Sequence, residues 1–229
     1  MKDRIRALSG RVEFLVVIFG AFGLFLPSNV AMLFVPGGPP APTSHALISD
    51  AYLQGLVLYE GIVLLLLGAF LKARGWTLER IGLKPTLRGT LQGLALVFLI
   101  YLVNLAVVVL LSFVWPEAAA AMRSLAKLVD TSLSLGPVLA VSIVNPVFEE
   151  VFVCAYIVSA LKEKRGVAFA VNVSTALRVT YHLYQGAAGV ISIVPVGLVF
   201  AYYYARNGKL WPLIVAHGIM DFVALMYYG

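Results

Sequence analysis

Charge is scarce in this chain. Only 12% of its 229 residues are Asp, Glu, Lys or Arg, against 61% hydrophobic, and the mean hydropathy is +0.94. A soluble domain cannot hide that much apolar surface, so the soluble classes are excluded and a polytopic membrane protein is expected. Acid is scarcer still, with 11 Asp and Glu to 17 Lys and Arg, a net charge of +6. The basic residues cluster in short segments between apolar runs, a pattern of membrane topology and not of nucleic-acid binding. A single cysteine, Cys154, excludes an intrachain disulfide and leaves the redox compartment open. Internal repeats, low-complexity tails and linkers are missing. One membrane domain is therefore expected over 1–229, with N-terminal spans and a connector in 1–135 and the remaining spans in 136–229. No organellar targeting peptide is visible, so the expected location is a prokaryotic cytoplasmic (inner) membrane, crossed several times.

Hydropathy sets out the spans. Val12 to about Val35 is too long for a signal-peptide core and lacks a small-x-small cleavage site, so it reads as a retained first span. Ala46 to Leu71 (interrupted by Glu60), Gly89 to Trp115, Gly136 to Leu161, Val167 to about Tyr184, Gly189 to Tyr204 and Trp211 to Tyr228 follow. The fold class is thus all-α, a bundle of about seven transmembrane helices. Placing the N-terminus inside puts every basic residue except Arg123, Lys127 and Arg178 on one side, which predicts N-terminus in and C-terminus out. Between the third and fourth spans, Pro116 to Leu135 has near-helical apolar spacing broken by Arg123, Lys127 and Asp130. It reads as an amphipathic surface helix or as a lid over an entrance.

Ionisable residues inside spans are expensive and mark function by default. Glu149 and Glu150 stand together in Asn145-Pro-Val-Phe-Glu-Glu-Val-Phe-Val-Cys154, in the middle of the fourth span. Pro146 removes a backbone donor just before them, and broken backbone at that depth predicts a wet, protein-lined pocket. Arg178 with His182, and His217 with Asp221, are each four residues apart, so each pair shares a helix face. Arg178 is the sole arginine within a span and the expected partner of Glu150, leaving Glu149 to hold a water. His182 can share that water. His217 can donate to an oxyanion, with Asp221 orienting it. Glu60 reads as interfacial or paired inside the bundle, His45 as incidental. Gly186, Gly189, Gly197 and Gly218 are expected to let helices approach closely. On these boundaries the three motif helices place their polar groups at depths differing by ~6–9 Å.

Three stretches, EEVFVC (149–154), RVTYH (178–182) and HGIMD (217–221), resemble in order and spacing the motifs of the CPBP intramembrane proteases, also called the Abi or CAAX prenyl protease family. That pattern is Glu-Glu-x-x-x-Arg, then Phe-x-x-x-His, then His-x-x-x-Asn or His-x-x-x-Asp, and the likeness covers about 136 to 228. The chain departs twice, with Cys154 where Arg is usual and Arg178 where Phe is usual. The two departures read as linked, the guanidinium having moved to the facing helix.

The resemblance implies an intramembrane endopeptidase acting on a membrane-associated protein or peptide. Glu149 and His182 would activate water, His217 and Asp221 would stabilise the oxyanion, and Glu150, Arg178 and Cys154 would support them. No cofactor is expected; were zinc used, Glu149, His182 and His217 would be its ligands, although no HExxH helix is present. The alternatives are a catalytically silent relative acting as a membrane scaffold or binding protein, a structural salt-bridge cluster without chemistry, and a proton-coupled carrier. A carrier would be expected to show inverted repeats.

Overall fold

The computed structural model describes residues 8–31, 34, 48–123, 129 and 132–228. Lys2, Arg4, Arg6, His45, Lys127, Asp130 and the Pro36 turn lie outside the described residues. Every named element is helical: α1 Gly10–Phe22, α2 Leu26–Ala31, α3 Asp50–Ala73, α4 Leu87–Val114, α5 Pro116–Arg123, α6 Leu135–Glu149, a π-helical turn Glu150–Tyr156, α7 Ile157–Arg165, α8 Val167–Tyr181, α9 Gly186–Asn207 and α10 Trp211–Tyr228. Ser9, Ser49 and Thr86 cap α1, α3 and α4 with their side-chain oxygens, as expected where an apolar run starts after a hydroxyl residue.

Among the described residues, four helices are long and apolar enough to cross a membrane: Asp50–Ala73, Leu87–Val114, the continuous Leu135–Arg165, and Gly189–Asn207. With these the chain is a multi-pass membrane protein. The helices α8, of 15 residues, and α10 are shorter. The expected first span is not one helix, because Gly23, Leu24 and Phe25 form a turn and Pro27 falls in the first turn of α2, where its missing N–H costs nothing. In the connector, α5 covers only Pro116–Arg123 and packs against α4 and α9.

The core forms around α6 and the π turn. Helix α6 lies between α3 and α10, α8 packs on α7 and α9, and α10 packs on α4. Close approach depends on glycine at several contacts, two of them expected: a Cβ on Gly218 would sit 2.6 Å from the Ser142 carbonyl oxygen, and one on Gly197 would meet Thr175 at 2.9 Å. Gly186 and Gly189, expected to do the same, act locally instead. Gly186 turns the chain at φ +69° and Gly189 abuts Gln185.

The basic segments gather at one end. Buried Glu13 in α1 accepts from Arg74 Nε (2.5 Å), Trp76 Nε1 (3.1 Å) and Tyr156 Oη (3.3 Å). The Leu210 amide donates to the Gly82 carbonyl (3.0 Å), joining the α9–α10 turn to the α3–α4 turn. Leu210 is fully buried, so α10 starts inside the bundle. Glu149 is ~24 Å of helix from Arg165, whereas His217 is only ~9 Å from Trp211, yet the two side chains meet. That deep start closes the depth offset expected from sequence.

Candidate active site

The two glutamates face α8 from where α6 becomes the π turn. A single π turn inside a long helix recurs at functional sites because it widens the helix and redirects side chains. Here Pro146 sits one turn upstream within α6. Both carboxylates reach Arg178: Nη1 donates to Glu149 Oε2 at 2.8 Å and Nη2 to Glu150 Oε1 at 2.6 Å. The expected pairing with Glu150 is present, but Glu149 is not left without a cation. The guanidinium fork carries two terminal nitrogens and serves both acids at once. Its Nη2 also lies 3.8 Å from Cys154 Sγ, so Cys154 shares the Glu150 face as its spacing requires.

His217 joins from α10. Its Nδ1 donates to Glu150 Oε1 at 2.8 Å, and its Nε2 lies 3.5 Å from Asp221 Oδ1 and 3.9 Å from Glu149 Oε2. The carboxylate can only accept, so the proton on Nδ1 is fixed. His182 ends α8 and is not part of this tight group. Its Nδ1 donates to the Arg178 carbonyl oxygen at 2.9 Å, which leaves the Nε2 lone pair as the available base.

A cavity of about 350 Å³ joins these groups. That size fits a ligand or peptide segment. Its lining includes the polar wall residues Glu149, His182, His217 and Asp221 together with apolar Phe22, Phe25, Leu53, Leu56 and Leu225. Glu150 and Arg178 stand behind the polar wall at 0% and 1% exposure. Charges buried so deeply persist only when paired and hydrogen-bonded, and here each serves as the other's counter-ion.

Two residues here, Tyr181 and Asn145, were not anticipated in these roles, and Glu60 was not expected to line the cavity. Tyr181 Oη donates to Glu149 Oε2 at 2.6 Å. Asn145 Nδ2 donates to Glu149 Oε1 at 3.3 Å and to Glu60 Oε1 at 2.8 Å, so α3 is tied into the site. Glu60 is 2% exposed and lines the cavity; it is paired inside the bundle, one of the two readings given to it. Asn145 could have been found from its four-residue spacing to Glu149. Tyr181 had no signal beyond adjacency to His182, and Glu60 none beyond being an acid within a span.

No curated protein and no solved structure matches the chain. Residues 131–223 match a family model described as type II CAAX prenyl endopeptidase, Rce1-like. The match covers the part of the chain that carries all three motifs and the Glu149, Glu150 and His217 cluster, and it supports for that part a likeness to the CPBP, or CAAX protease, family of membrane proteases.

Proposed function

We propose that the protein is an intramembrane endopeptidase that hydrolyses a peptide bond of a membrane-associated protein or peptide with a water activated by Glu149 and His182. The observation that carries this is the shared cavity of about 350 Å³, lined by Glu149, His182, His217 and Asp221 together with apolar side chains that could hold a hydrophobic peptide segment. Glu149 Oε2 is occupied by Arg178 and Tyr181, while Oε1 keeps only the longer bond from Asn145. Oε1 is thus the oxygen that takes the proton from water, with His182 Nε2 as the second acceptor on the wall. As water attacks the carbonyl carbon, negative charge grows on its oxygen. His217 donates to it from Nε2–H as the doubly protonated imidazolium, with Glu150 accepting from Nδ1–H and Asp221 beside Nε2, and such preorganised donors give the largest single contribution in acyl transfer. Glu149 then returns the proton to the leaving amine. Glu150 and Arg178 stay out of the reaction and fix His217 and Glu149.

The mechanism proposed is metal-free. Glu149, Glu150 and His217 do offer ligand atoms within 4.8 Å of one another. Arg178 Nη1 and Nη2, however, already stand against both carboxylates, so a dication among them would meet a guanidinium at contact distance. The alternative zinc set loses His182 from this tight group, its Nδ1 being bonded to the Arg178 carbonyl. Cys154 alone would suggest a silent scaffold, but the guanidinium beside it favours an enzyme whose arginine has changed helices.

Glu149→Ala and His182→Ala should each lower cleavage of a membrane-tethered peptide by at least ~100-fold, the usual worth of a positioned acid–base group. The Glu149→Gln protein, cross-linked in its native membrane and analysed by mass spectrometry, should retain substrate. Cleavage that survives both alanine changes defeats the proposal.

A further inference from the structure

A second cavity, of about 910 Å³, opens at the basic end of the bundle between the start of α1, the α3–α4 turn and the end of α7. Its floor is electrically closed, because Glu13 is bound by Arg74, Trp76 and Tyr156. It is lined by Arg11, Arg80, Lys164 and Arg165, with Glu163 the one other acid among its described lining residues. Arg80 lies over the Trp76 ring at 4.1 Å and Arg165 over Phe169 at 5.8 Å. Among the described residues, no carboxylate is within ion-pair distance of these four cations. A merely solvated basic face would not enclose a hollow with an aromatic floor.

Phe14, Leu15 and Leu161 give the same cavity an apolar side. From there α1 presents Val12, Leu15, Val16 and Phe19 outward at 38–63% exposure. Their spacing of three and four makes a single stripe, ~10 Å long, running from the cations toward the hydrocarbon. Four cations at the polar end of a lipid-facing stripe complement an amphiphile with an anionic head.

We propose that this cavity binds an anionic phospholipid, its phosphate among Arg11, Arg80, Lys164 and Arg165 and the start of an acyl chain along Val12 to Phe19. Neither the ligand nor the site depends on the protease reading. The test is native mass spectrometry of the full chain in neutral detergent, titrated with dioleoyl-phosphatidylglycerol or dioleoyl-phosphatidylcholine. Wild-type protein should hold the phosphatidylglycerol preferentially, and Arg11→Gln/Lys164→Gln should weaken it roughly thirtyfold, the factor two basic contacts contribute at a membrane surface. The control Lys84→Gln/Lys209→Gln removes equal charge from exposed positions at the same end outside this cavity and should leave binding unchanged. All four side chains are exposed, so neither variant disturbs packing. Equal retention of both lipids, equal loss in both variants, or displacement of the phosphatidylglycerol by millimolar inorganic phosphate would each overturn the proposal.

Discussion

Arg178 is the residue on which the polar wall turns. It is 1% exposed and binds Glu149 and Glu150 together, so removing it strands two buried carboxylates. Losing one partner of a buried ion pair typically costs ~3–5 kcal/mol. The same geometry makes a sharper prediction at Cys154, fully buried 3.8 Å from Nη2. Cys154→Arg alone forces a second guanidinium into space already filled, and thermal unfolding should show a large loss of stability. Cys154→Arg combined with Arg178→Phe returns the usual family arrangement and should recover both melting temperature and activity. A double variant no better than the single one would refute the linkage. Asn145 belongs to the same scale: Asn145→Leu removes the bonds to Glu149 and Glu60, each to a carboxyl group. Hydrogen bonds to charged groups are worth ~1.5–3 kcal/mol. Activity should therefore fall about ten- to a hundredfold, measured as kcat/KM on a fixed peptide.

Between elements, the contact of α6 with α10 sets the distance from His217 to Glu150. The Gly218 contact with the Ser142 carbonyl is backbone against backbone, so no side chain can swing aside to admit a methyl group. Gly218→Ala should separate the helices, at ~1–3 kcal/mol for overpacking, and lower cleavage with it. Gly68→Ala in α3, where nothing lies within 4 Å, should do neither. Parallel melting curves and cleavage rates of the two variants decide this. At this scale the sequence was only half legible. Three acids, one arginine and two histidines in apolar runs stood out because lipid makes such residues costly. Their convergence could not be read, because spacing along one helix says nothing of where a neighbouring helix begins. The deep start of α10 is set by Leu210 packing against the Gly82 turn, a contact between segments over a hundred residues apart. The broken first span was written in Gly23 and Pro27 but hidden by an apolar run that hydropathy reads as continuous.

Over the whole molecule, the basic segments near Arg11, Arg74, Lys164 and Lys209 share one end, tied by Glu13 to Arg74 and Gly82 to Leu210. An all-helical membrane protein was legible from composition alone; among the described residues four helices meet the length and hydropathy of a span. The seven-span layout with its N-terminus inside predicts that cysteines placed at Arg11, Lys84, Arg165 and Lys209 react with an impermeant maleimide from the cytoplasmic face only. The buried native Cys154 should not react at all. Labelling of any one of the four from the opposite face would contradict that layout.

The central claim is that Glu149 does the chemistry without a metal. The most direct measurement is the cleavage rate of a quenched, membrane-tethered peptide by wild-type and Glu149→Gln protein in vesicles containing a strong zinc chelator. Wild type should keep its full rate in chelator while Glu149→Gln, still folded at the assay temperature although its melting temperature falls with the loss of the Arg178 ion pair, should lose at least ~100-fold. A wild-type rate abolished by chelator and restored by zinc, or a Glu149→Gln rate equal to wild type, would contradict that claim.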